Sequence, residues 1–316
     1  MAEEFSPAES LSQLAASPAR QPSAIHNIFI GPNGLRAGWR VAIFLVLDIA
    51  IVAGMVRIPA VREFLRGHPQ AEFGAIGLIG SEFLLNLFPL LLAAGIMTFI
   101  EKRSFADYGM PLNQAFGKRF WQGVPIGFVM LSLLLVLIGA LHGFSLDGVA
   151  VGGASAVKLA ILYFVGFIFV GIFEEFSFRG YLQSALGSGI GFWPAALILS
   201  FCFGAIHLGN SGEAKIGAFM AGCFGLLGAF TLWRTGNIWY PIGMHAAWDW
   251  GETYFYGTPD SGILARGHFL NSSFHGPDWL TGGTVGPEGS WLVFGVLIIW
   301  AIVIHFLFPA KTKSAL

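Results

Sequence analysis

AVKLAILYFVGFIFVGIFEEFSFRGYLQSAL, residues 156–186, decides how the rest of the chain is read. From Ala156 to Phe173 it carries one charge, Lys158, and is long and apolar enough for a helix crossing a bilayer. The helical pattern then continues through a polar stretch holding Glu174, Glu175 and Arg179. Ionisable groups at membrane depth cost several kcal/mol unless they pair or line a wet cavity, so these three are functional candidates. Glu175 and Arg179 are four residues apart and share a helix face, which suits a charge-assisted supporting pair. Glu174 is turned about 100° away and is the carboxylate left free to act. Gly171 and Ser177 on either side are expected to leave its face small enough to admit water.

Outward from that stretch the chain keeps the same character. Of its 316 residues 55% are hydrophobic and 11% charged, against about 25% charged in an ordinary soluble domain. A single soluble globule is excluded, because it could not cover such a core. The fold expected is all-α, a polytopic membrane bundle of about eight transmembrane helices. Their positions are near 38–56, 74–100, 120–142, 156–186, 191–209, 214–233, 237–252 and 290–309. The organisation expected is a disordered N-terminal tail (1–36), N-terminal membrane helices (37–150), a core carrying the chemistry (151–255), a polar loop (256–289), and a last membrane helix with a short tail (290–316). The loop region, from Gly251 to Ser290, is expected to cap an opening in the membrane domain. With the N-terminus inside, Arg20, Arg36, Arg40, Lys102, Arg103, Lys118, Arg119, Arg179, Arg234, Lys311 and Lys313 fall on the cytosolic side, so both termini are expected there. The net charge of −1 gives no field to attract nucleic acid, and the partners expected are the lipid bilayer and a membrane-associated substrate. Cys202 and Cys223 lie in apolar runs, where a thiol is a small packing residue.

Two further clusters lie on the spans that follow. His207 ends the run Ser200-Phe201-Cys202-Phe203-Gly204-Ala205-Ile206-His207, and a turn at Gly187-Ser188-Gly189 would bring it to a depth near that of Glu174. His245 and Asp249 share one face of the seventh span, where Gly243, Ala246 and Ala247 permit close helix approach and Pro241 can kink the entry. Together these groups can carry out general-base hydrolysis. Glu174 would activate water, His207 would position it or carry a proton, and His245 with Asp249 would polarise the scissile carbonyl. The same groups can equally hold zinc through Glu174, His207 and His245, with a water in the open position. No HExxH pair is present.

Glu174-Glu175-x-x-x-Arg179, Phe203-x-x-x-His207 and His245-x-x-x-Asp249, in this order on successive membrane helices, resemble the signature of the CAAX-protease and bacteriocin-processing (CPBP) family. That family includes type II CAAX prenyl endopeptidases and lysostaphin-resistance-like proteins. The resemblance covers roughly residues 155–252 and implies an α-helical intramembrane endopeptidase. In its terms Glu174 is the base that activates water, His207 its partner, and His245 with Asp249 the oxyanion-stabilising pair. The third motif commonly ends in Asn, so Asp249 departs from the pattern, since a carboxylate donates to an oxyanion only when protonated. The substrate implied is a membrane-associated peptide or protein, with prenylated C-terminal peptides one class; glutamate-only and zinc mechanisms both stay open. Two other functions fit the same residues: an ion-coupled membrane carrier, and a catalytically silent scaffold or immunity factor.

Overall fold

The computed structural model describes residues 24–32, 34–69, 74–209 and 215–309. The expected tail falls largely outside these residues, as do Lys311 and Lys313. The chain divides into two units, Met1–Arg36 and Ala37–Leu316. In the first, a short helix, Ala24–Phe29, leads into a hairpin in which Ile30 pairs with Leu35 and Gly31 with Gly34.

The second unit is helical, with eight long elements close to the spans read from the sequence. Five are long and apolar enough to cross a membrane: α1 (Ala37–Met55), α2 (Ala75–Glu101), α3 (Lys118–Ala140), α4 (Gly153–Ile190) and α6 (Lys215–Thr235). Two further apolar helices are shorter, α5 (Phe192–His207) and α8 (Leu292–Leu307). The remaining one, α7, runs over Trp239–Trp250 and continues as a π-helical turn, Gly251–Tyr256. Every residue from Trp239 to Asp249 is buried, so α7 is the central helix. A helix enclosed by protein has no lipid to face, which lets it carry histidine and carboxylates instead of a continuous apolar surface. Pro241 lies in its first turn, a position that needs no backbone N–H, rather than at a kink.

Small residues bring the helices into contact around α7. A Cβ at Gly127 of α3 would collide with the Met244 carbonyl, and one at Gly243 of α7 would collide with the Phe120 carbonyl. Backbone packs on backbone there, as membrane helices do when they lack a hydrophobic driving force between them. On the other side of α7, a Cβ on Gly171 would already stand 3.0 Å from the Ile242 carbonyl. Gly171 therefore seats α4 against α7 and does not open a water face beside Glu174. Ser177, the other small residue there, donates its hydroxyl to the Phe173 carbonyl at 2.6 Å.

The turn between α4 and α5 differs from the expected Gly187-Ser188-Gly189. The helix runs on to Ile190, and the reversal is at Gly191, whose φ of +88° is in the region that favours glycine. Glu174 lies seventeen residues before Gly191 and His207 sixteen after it, so at about 1.5 Å per residue the two stand at nearly the same height above the turn.

A helix and a pair of strands were not foreseen. A nine-residue helix, Pro59–Gly67, follows α1. Strands Phe144–Val149 and Leu270–Phe274 pair antiparallel, with a shift in register between Leu146 and Gly148. This small sheet ties the polar loop back to the end of α3.

Candidate active site

The Glu174-Glu175 pair sits where α4 passes from α-helical to π-helical geometry, the wider turn covering Phe176–Leu182. The two carboxylates part as the helical geometry requires. Glu175 has no solvent exposure, whereas the Glu174 side chain is 22% exposed, onto a cavity of about 220 Å³. Glu174, His207, His245 and Asp249 all line that cavity. Its apolar wall includes Phe167, Val170, Phe203 and Phe224.

Glu175 does more than support Arg179. Its Oε1 lies 3.2 Å from Arg179 Nη2, the expected four-residue pair, and also accepts from His245 Nδ1 at 3.0 Å. A Cβ on Gly228 of α6 would stand 2.8 Å from Arg179 Nε and 3.0 Å from Glu175 Oε2, so this glycine makes the room that the ion pair occupies. The Arg179 guanidinium lies over the Phe203 ring, 4.3 Å from its centroid. Phe203 thus stacks on Arg179 through its ring, while its backbone carbonyl accepts from His207 Nδ1 at 2.7 Å. His207 is thereby fixed with Nε2 as its remaining ring nitrogen.

His245 is held between three carboxylates. With Nδ1 donating to Glu175, its Nε2 stands 3.5 Å from Glu174 Oε2 and 3.5 Å from Asp249 Oδ2. Nε2 therefore stands midway between the group suited to act as base and Asp249. Glu174, His245 and Asp249 come together directly; His207 shares the cavity with them from α5.

Sequence reasoning missed four acidic residues here. Glu82, in a π-helical stretch of α2, lines the same cavity and accepts from Asn86 at 2.8 Å. As an ionisable residue inside an apolar run, it carried the same signal that singled out Glu174. The others are Glu252, at the start of the π-helical turn ending α7, and Asp260 and Glu288 from the polar loop. Asp260, Ser261 and Glu288 line the cavity, so the loop does form part of its wall. Trp248 Nε1 donates to both Glu252 Oε2 and Glu288 Oε1 at 3.1 Å. Burial, with the Glu288 charge beside it, pushes the Asp260 carboxyl up to about 8.

The donor sets for zinc can be compared with this geometry. Among the described residues, the group whose ligand atoms lie within 4.8 Å of one another is Glu252, Asp260 and Glu288. Glu174, His207 and His245 do not gather in that way, so as they stand they do not form a zinc cage.

Residues 156–251 match the family model described as type II CAAX prenyl endopeptidase, Rce1-like. The matched stretch begins on α4, ends at the first residue of the π-helical turn after α7, and contains Glu174, Glu175, Arg179, His207, His245 and Asp249. Asp260 and Glu288 lie beyond it. Comparison with curated proteins and with solved structures returned no match.

Proposed function

We propose that this integral membrane protein, whose helical core carries a CAAX-type endopeptidase segment, hydrolyses a peptide bond inside the bilayer with Glu174 as general base. The observation that carries the reading is the partly open cavity onto which Glu174 is exposed and in which His245 stands among Glu174, Glu175 and Asp249. Glu174 takes a proton from a water molecule, and the water oxygen attacks the scissile carbonyl carbon. His207, held through Nδ1, aims Nε2 at the water. The Nε2–H of His245 meets the charge that develops on the carbonyl oxygen, and the Glu175 contact keeps that ring from turning. As the C–N bond breaks, the proton on Glu174 passes to the leaving nitrogen.

Asp249 contributes no hydrogen bond to the oxyanion as a carboxylate. Its place beside Nε2 gives it a different role, holding the His245 ring in the orientation that Glu175 sets. A cavity of about 220 Å³ is below the ~300–1,000 Å³ of sites that enclose a drug-sized ligand, so it admits a short extended segment and not a folded chain. The aromatic wall suits an apolar side chain or a prenyl group, which makes a lipid-modified C-terminal peptide the substrate class to test first.

The test is cleavage of farnesylated and unmodified CAAX-type peptides, and of a general peptide library, by detergent-purified protein. Wild type and Glu174→Gln are compared, each with and without chelator and added zinc. Wild-type cleavage that is lost in the variant supports the reading, and equal cleavage by both refutes it. Loss of activity with chelator and its return with zinc would mean that Glu174, His207 and His245 move together around a metal during turnover.

A further inference from the structure

We propose that Glu252, Asp260 and Glu288 form a binding site for a hard divalent cation, which fastens the loop after α7 over the mouth of the cavity. One carboxylate oxygen from each lies within 4.8 Å of the others, although the three residues come from the end of α7 and from two separated points on the loop. The hydrogen bonds around them orient these groups without neutralising them. Trp248 donates to Glu252 and Glu288; Thr253 donates to Asp260 Oδ2 at 2.9 Å; Ser261 donates its hydroxyl to Glu288 Oε2 at 3.0 Å and its backbone N–H to the same oxygen at 3.3 Å. Every one of these donors is neutral.

Glu252 supplies the second, independent indication. It has no solvent exposure, and while Oε2 accepts from Trp248, Oε1 is buried without a hydrogen-bond partner. An unpartnered buried carboxylate oxygen costs several kcal/mol unless something positive or a donor meets it. Salt bridges in this region go to His245 and Arg179, and none reaches these three residues among the described ones. A cation held by the three carboxylates meets the buried Glu252 group and relieves the mutual repulsion together. An all-oxygen set of carboxylates selects calcium, magnesium or manganese over zinc, and calcium tolerates the irregular geometry of a loop best.

This site does not depend on the catalytic assignment of Glu174, and its test needs no substrate. Detergent-purified protein is titrated with terbium, whose emission is sensitised through Trp248 beside the carboxylates, and the terbium is then displaced with calcium, magnesium, manganese or zinc. Calorimetry with calcium alone gives the stoichiometry. One saturable site is expected, with a dissociation constant below about 1 mM, calcium displacing terbium better than zinc does. Glu252→Gln and Asp260→Asn should each weaken binding at least tenfold. They remove charge from a crowded cluster and keep its shape, so both are expected to fold. In wild type, calcium should also slow proteolytic cutting between 257 and 289. Absence of saturable binding by wild type overturns the proposal and leaves a proton shared among the carboxylates as the account of the cluster. Binding unchanged in both variants overturns it too, by placing the cation elsewhere.

Discussion

The two neighbouring glutamates differ in what surrounds them, and that difference separates their mutants. Glu174 faces a cavity and makes one long contact with His245, so Glu174→Gln should reduce turnover by about 10²–10⁴-fold with little change in thermal stability in detergent. Glu175 is wholly buried against Arg179 and His245. Removing its charge leaves the buried guanidinium without a counterion, so Glu175→Gln should cost about 3–5 kcal/mol of stability, seen as a large fall in the melting temperature. A variant series in which both mutants were equally stable would contradict the division of labour between them.

At the scale of elements, contact between α3 and α7 and coverage by the loop make separate demands. Gly127 lets the α3 backbone meet the Met244 carbonyl. Gly127→Ala must push α7 aside and should lower stability by about 1–3 kcal/mol or more, with His245 misplaced and cleavage reduced; thermal unfolding and activity on the same preparation check both. The loop contributes Asp260, Ser261 and Glu288 to the cavity wall. Replacing residues 259–287 with a short flexible linker should leave the helices inserted and folded but open the cavity to water, abolishing cleavage. Full activity in such a protein, shown by circular dichroism to keep its helix content, would rule out a covering role.

Over the whole molecule, a buried knot that does not line the cavity holds the first membrane helices to the core. Arg40 of α1 pairs with Glu101 of α2 at 2.7 Å, and Glu101 also accepts from Tyr108 at 3.1 Å and from Tyr181 of α4 at 2.5 Å. Glu101→Gln leaves Arg40 uncompensated and should cost about 3–5 kcal/mol, measured as detergent-resistant folding at rising temperature. The helices and the pairs Glu175–Arg179 and His245–Asp249 were legible in the sequence because apolar runs and four-residue spacings are local properties, whereas the meeting of Glu174 with His245 followed from the resemblance alone. Arg40, by contrast, read as a surface charge fixing orientation, since its partner is sixty-one residues away. The contact of Glu175 with His245, the carboxylates of the loop and the strand pairing of 144–149 with 270–274 were equally out of reach, each joining residues distant along the chain. One feature of α4 also bears on how the protein can change. A π-helical turn holds one residue more than an α-helical one in the same rise. Deleting a single residue from Phe176–Leu182 would remove that surplus and let α4 continue as an ordinary helix with its two halves close to their present phase, whereas a deletion from the regular turns before Glu174 would rotate what precedes it by about 100°. With Tyr181 anchored to Glu101 and both glutamates kept in place, the wide turn can give up one residue where the regular helix before it cannot.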